Sequence, residues 1–281
     1  MEKPTPSTLE GAAYDPQHAL LEIAKLGPGD GILFARAEPT LCLELPRYIR
    51  QARAQGCTVI GLCTNARRLS YLSYAKELLL SGPTHVTVSI HGHTAKIHDV
   101  LTRTPGSFLE TTTGLRHVLA EKERRTLTVD TSTVVTKRNL KELPHIFHFL
   151  AAESVDTIVF NVMQLEGLAV LHARQLVPRY TDVVQAIHTL SSSLTLAEQQ
   201  RLRLEGLPAC LALRLADSVG ALETPLVLGP DKPRAVSSYP TLRTLEMRHT
   251  TGCQTCRFLA RCPGIDPCYL ELYGEEEFST R

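Results

Sequence analysis

The chain has 281 residues, a formal net charge of +1, and 43% hydrophobic and 21% charged residues, the make-up of a globular protein large enough to bury a sizeable core. The near-zero charge, the 5% aromatic content and the lack of tryptophan argue against a nucleic-acid partner or an anionic membrane. No apolar run reaches the roughly 18–20 residues of a membrane helix, and MEKPTPSTLEGAAYDPQ has no apolar segment of the secretory type. The expectation is a cytoplasmic location, where clustered cysteines point to metal or redox chemistry before disulfides.

Residues 1–15 are polar and are expected to form a flexible N-terminus. From residue 16 helical and strand-like segments alternate. HALLEIAKL (18–26) has helical spacing and stops at Gly27-Pro28-Gly29, and GILFAR (31–36) is an apolar run of strand length. LELPRYIRQARAQG (43–56) reads as an amphipathic helix closed by Gly56, and TVIGLCTN (58–65) as the next strand. SYLSYAKELLLSG (70–82) is helical, HVTVSIHG (85–92) a strand and GSFLETTTGLRHVLAEK (106–122) a helix. TLTVDTSTVVT (126–136) is a strand rich in β-branched residues, and NLKELPHIFHFLAAES (139–154) a helix with Asn139 as N-cap. DTIVFNVM (156–163) is a strand; RYTDVVQAIHTLSSSL (179–194) is helical, QQRLRLEG (199–206) strand-like, and 207–252 irregular.

This alternation implies a mainly parallel sheet with right-handed crossovers. An open doubly wound sheet and a full or partial (β/α) barrel both fit it. The change of rhythm puts a boundary near residue 205.

The stretch GCQTCRFLARCPGIDPC (252–268) holds Cys253, Cys256, Cys262 and Cys268. The C-x2-C turn lets two thiolates converge on one centre, and Cys210 can replace Cys268 if its loop folds back. Zinc accepts either set, and so does a 4Fe–4S cluster; spacing leaves the two open. Cys57 and Cys63 bracket a strand and read as core thiols. His91, His93 and His98 come after another strand, where a His-based metal site is conceivable. Arg67 and Arg68 read as solvated charge. No dinucleotide or P-loop glycine pattern and no nucleophile elbow occurs.

Several landmarks, in order, resemble those of radical S-adenosylmethionine (radical SAM) proteins. AEPTL (37–41) resembles the family's GGEPTL segment, and TNARRL (64–69) its TNG segment. VTVSIHGHTAKIHDVLTRTPGSF (86–108) is similar to the family's fourth strand with its loop, and STVVTKRNLKELP (132–144) to the fifth strand with its helix. LPAC (207–210), the CQTCRFLARCPGI run and YLELYG (269–274) resemble a SPASM-like or twitch-like extension. The resemblance implies an α/β fold: a partial open (β/α) barrel over 16–205 of about five or six parallel strands, with a cysteine-rich extension over 206–281. It implies an auxiliary 4Fe–4S cluster on Cys210, Cys253, Cys256 and Cys262, with Cys268 as the spare and zinc as the alternative. It places Glu38, Asn65 and Ser89 in what would be a vestigial SAM pocket.

The departures are as informative. The family's CxxxCxxC, whose cluster binds SAM, is not in this sequence. Arg36-Ala37 stands where the family has Gly-Gly, and Ala66 where it has the glycine of TNG. These losses argue against SAM as a cofactor of this chain. They imply a degenerate radical SAM-like protein that binds a peptide or small-molecule substrate, or assists an intact radical SAM enzyme. Two alternatives stand beside it: an active enzyme whose cluster-bearing N-terminus lies outside this sequence or is supplied in trans, and a zinc-stabilised binding module. An exposed GILFAR edge would pair with a second copy or a partner, or be covered by the N-terminal residues.

Overall fold

The computed structural model describes residues 16–278 except 36, 164, 166–167, 209, 213–246, 258, 260–261 and 263. Residues 1–15, Arg36 and most of the irregular run before the cysteine cluster lie outside the described residues.

Six strands form one sheet: β1 (Gly31–Phe34), β2 (Val59–Thr64), β3 (His85–Ser89), β4 (Thr128–Val135), β5 (Thr157–Val162) and β6 (Leu202–Glu205). They pair in parallel and in sequence order, β1 to β6. That order decides between the two architectures open to the sequence. A right-handed crossover puts its helix on a fixed side of the sheet. With no reversal of strand order, all the crossover helices fall on one face, as in a barrel, whereas a doubly wound sheet covers both. The fold is a six-stranded parallel partial barrel.

The connecting helices are α1 (Pro16–Ala24), α2 (Leu45–Ala54), α3 (Leu72–Ser81), α4 (Ala95–Thr102), α5 (Ser107–Lys122) and α6 (Leu143–Ala152). Then come the short α7 (Leu168–Leu171) and α8 (Ala173–Leu176), α9 (Tyr180–Ser192), α10 (Leu196–Arg201) and, near the C-terminus, α11 (Pro267–Tyr273). Strand residues alternate between two environments, as the two-residue period of a strand requires. Ile60, Leu62, Val86, Val88, Val129, Ile158, Phe160 and Leu202 are buried under the helices and make the core with Ile49, Leu78, Leu115, Phe147 and Ile187.

The opposite face is polar and half-buried. Strand register sets Cys63, Thr87, Asp130 and Thr157 in one cross-strand row, and Ser89 and Ser132 in the next. Cys63 is therefore no core thiol. An odd position in β2 turns it to the open face, while Cys57, before the strand, is buried. Leu33 of the edge strand β1 is 59% exposed.

Three elements differ from the sequence expectation. Helix α4 lies inside the stretch read as a loop after β3. QQRLRLEG divides, α10 ending at Arg201 and β6 beginning at Leu202. Asn139 does not cap α6. Its Oδ1 accepts from the Thr136 N–H at 2.7 Å and hydroxyl at 3.0 Å, and its amide donates to the carbonyls of His91 and Val134. A 3-10 turn at Leu140–Glu142 precedes α6 instead. Asn139 is fully buried and staples the segment after β3 to the end of β4.

The C-terminal segment is clamped to the amino end of α9. The rings of Tyr180 and Tyr269 stack with centroids 3.7 Å apart, beside Phe278. Tyr269 Oη accepts from the Tyr180 N–H at 2.7 Å and donates to Glu277, which in turn accepts from the Thr181 N–H. A carboxylate there also meets the positive end of the helix dipole. Among the described residues no helix is long and apolar enough to cross a membrane.

Candidate functional site at the carboxyl end of the sheet

In parallel α/β sheets, ligands bind beyond the carboxyl ends of the strands. Here that end is built from the segments after β1 to β5. Glu38 is the knot of the first two. One carboxylate oxygen accepts from the Thr40 N–H at 3.1 Å, the Thr40 hydroxyl at 2.6 Å and the Thr64 hydroxyl at 2.6 Å; the other accepts from the Asn65 N–H at 2.7 Å. Glu38 caps the 3-10 turn Pro39–Leu41 and fastens it to the end of β2. The structure thus joins Glu38 and Asn65 directly. Ser89 lies at the end of the next strand, on the polar face, in register with Ser132.

The glycine-replacing residues retain glycine-like backbones. Ala37 has φ 43° and Ala66 φ 57°, both left-handed, a region that costs an L-residue about 1–2 kcal/mol. Around Ala66 the packing is tight. Thr111 donates to the Asn65 carbonyl at 2.9 Å, and Gly114 of α5 lies against the Ala66 carbonyl. Arg67 and Arg68 are not simply solvated. Arg67 pairs with Glu110 at 2.5 Å; Arg68 donates to the Thr40 carbonyl and lies over the Tyr74 ring.

After β3, His91 and His98 stack at 5.7 Å. The His91 N–H donates to His98 Nδ1 at 3.0 Å, and the Val134 N–H to His91 Nδ1 at 3.3 Å. Burial, with the neighbouring His98 ring, pushes His91 down to about 4. Burial, opposed by Asp99 and helped by Arg67, pushes His98 down to about 4. Both rings are neutral at pH 7, and each accepting Nδ1 leaves its proton on Nε2. His93 turns away from this pair toward His145 and Glu142. The three histidines of the loop therefore do not form one group.

Beside His91 a cavity of about 510 Å³ opens between α4 and the ends of β4 and β5. Among the described residues its lining includes Arg103, Arg138, His91, His172, Thr136 and Gln175, and no carboxylate. On the polar face, one Asp130 oxygen is buried without a hydrogen-bond partner. Burial raises the Asp130 carboxyl, against its bond with Thr157.

The cysteines expected to hold a cluster all fall in the described residues, Cys253 buried and Cys210, Cys256 and Cys262 half-buried. The segment carrying three of them is pinned by the Arg248–Ile265 bridge and by His249 Nε2 at 3.0 Å from the Cys262 carbonyl. Among the described residues, three or more ligand atoms gather as around a single ion only at His93, Glu142 and His145, not at these thiols. The first cysteine of the sequence is Cys42, so the segment from β1 to Glu38 offers no thiolate.

Thr40, Thr64, Thr111, Gly114 and Asn139 were not marked as site-building by the sequence. Only a polar residue at a strand end or a glycine inside a helix hinted at them.

No family model matches the chain. It is 26% identical to Fe-coproporphyrin III synthase of Methanosarcina barkeri (strain Fusaro / DSM 804) over 166 residues, 56% of this chain and 40% of that one. The fold is similar to native anSMEcpe with bound AdoMet and Cp18Cys peptide, with a TM-score of 0.50, 16% identity, 62% of this chain and 49% of that one covered. The same protein with Kp18Cys peptide gives 0.49 at the same identity and coverage. The chain thus spans less than half the length of each of these proteins. The sequence landmarks resemble those of radical SAM proteins, and the parallel sheet is similar in fold to that of native anSMEcpe with bound AdoMet.

Proposed function

We propose that this chain is a radical SAM-type barrel that binds a substrate or assists an intact radical SAM enzyme and does not itself cleave SAM. The observation that carries the reading is the pair Ala37 and Ala66. Both sit in left-handed conformations where the family has glycine, so each adds a Cβ where the family keeps none. Glu38, between them, has its carboxylate engaged by Thr40, Thr64 and Asn65. At the end where the resemblance places SAM, the Glu38 carboxylate is committed to the protein's own contacts.

The binding end remains. The cavity beside His91 carries Arg103 and Arg138, and no carboxylate among the described residues, which suits an anionic small molecule or an acidic peptide segment. Cys210, Cys253, Cys256 and Cys262 would hold an auxiliary 4Fe–4S cluster. Their donor chemistry fits it: thiolates each bind a different iron, so they stand further apart than ligands of one ion. Such a cluster would supply structural clamping or electron transfer. Nothing in the charge, composition or fold calls for a nucleic-acid partner, and β1, at the end of the strand order, suits pairing with a second copy or a partner strand.

The test is to incubate the anaerobically reconstituted chain with SAM and a strong reductant, and to measure 5′-deoxyadenosine. None above the protein-free control is expected. Turnover dependent on the chain would overturn the reading and favour an active enzyme.

A further inference from the structure

We propose that His93, Glu142 and His145 form a binding site for a divalent first-row transition cation of the zinc type, separate from the cysteines and independent of the function proposed above. Ligand atoms of all three lie within 4.8 Å of one another. Glu142 Oε2 is 3.4 Å from His145 Nδ1 and 4.0 Å from His93 Nδ1, and the two rings are stacked with centroids 5.2 Å apart. The donor set, two imidazoles and a carboxylate, is one that zinc takes in three-ligand sites with an open fourth position.

A second observation points to a ligand. His93 Nδ1 is buried and has no hydrogen-bond partner, a state that costs a polar atom free energy and that an ion resolves.

Topology brings the three together. His93 comes after β3, Glu142 ends the 3-10 turn after β4, and His145 is in the first turn of α6. The Asn139 staple to the His91 carbonyl holds these two segments side by side. The His145 side chain is 69% exposed, which leaves a path for the ion and room for water as fourth ligand. A bound cation would fasten the β3 and β4 segments beside the cavity that His91 lines.

The test uses the full chain, stripped with chelator and titrated with Co(II) alone. Cobalt held by imidazole and carboxylate shows ligand-field absorption without the thiolate charge-transfer bands that cysteine ligation would give. We expect one such equivalent, retained in Cys256→Ala and weakened more than about tenfold in His93→Ala and in His145→Ala, since even losing an outer partner of a ligand costs that much. Glu142→Gln, which keeps shape, should weaken it likewise. The exposed His145 makes His145→Ala a variant whose fold circular dichroism should find unchanged. Cobalt absorption with thiolate character only, or binding unaltered in His145→Ala and Glu142→Gln, would overturn the site.

Discussion

A Cβ built on Gly114 would stand 2.1 Å from the carbonyl oxygen of Ala66. Helix α5 thus lies directly on the turn after β2, and the left-handed conformation of Ala66 fixes where that carbonyl points. Exposed helix positions gain up to about 1 kcal/mol when glycine becomes alanine. Here backbone meets backbone and neither can swing aside. Gly114→Ala should destabilise the chain by about 3 kcal/mol, the upper part of the usual overpacking range, measured as a lower urea midpoint at unchanged slope. A neutral or stabilised variant would show that α5 does not seat there.

Ala37 offers the opposite sign. It is exposed with φ 43°, so its methyl packs little while its backbone sits where glycine is at ease. Ala37→Gly should stabilise by about 0.5 kcal/mol, the left-handed relief of about 1–2 kcal/mol less glycine's greater unfolded freedom. Thermal unfolding reads it as a small rise in Tm; a drop would contradict the assigned conformation.

Glu38 presents only acceptors to four donors. Glu38→Gln removes the charge and sets an amide against either the Asn65 N–H or the threonine hydroxyls. The expected loss is about 2 kcal/mol, the worth of charge-assisted bonds and of one orphaned donor. Chemical denaturation measures it, and an unchanged midpoint would show that the knot is dispensable.

The stacked pair His91 and His98 makes stability depend on acid. Both are held neutral in the folded chain with values of about 4, below the ordinary 6.5. Between those values the unfolded chain binds more protons than the folded one, so stability is full above pH 6.5 and falls as pH drops toward 4. Each ring contributes a slope of about 1.4 kcal/mol per pH unit within that window. His98→Gln keeps an acceptor for the His91 N–H and should flatten the fall by half in pH-dependent urea unfolding. An identical pH profile would remove the pair as its source.

Tyr269→Phe tests how the C-terminal segment is fastened. The hydroxyl serves both the Tyr180 N–H and Glu277, and its loss leaves two buried groups unserved. The expected cost is about 2 kcal/mol, with faster hydrogen exchange at the Tyr180 amide. Unchanged exchange would mean that ring stacking alone holds the segment.

Strands β2 to β5 were legible because each is a short run rich in β-branched residues bounded by turn or helix signals. Helix α4 was not: Ala95–Thr102 mixes histidine, lysine and threonine and begins too soon after Gly92 for its period to stand out. Its packing on α5, through Asp99 accepting from the Gly106 and Phe108 N–H groups, is tertiary information. Family resemblance alone placed Glu38 and Asn65 in one pocket; their hydrogen bond, across 27 residues, has no local period to reveal it. The trio of His93, Glu142 and His145 was invisible for the same reason. His93 was read with His91 and His98, its neighbours in sequence, whereas parallel strand order sets it beside the segment after β4.

The most direct measurement is iron, sulfide and zinc content of the chain purified without oxygen, beside Cys256→Ala. The account predicts about four irons and four sulfides per chain, lost in the variant, with zinc restricted to a thiol-independent equivalent. One zinc lost in Cys256→Ala, with no sulfide in either protein, would make the cysteines a structural clamp and contradict the auxiliary cluster.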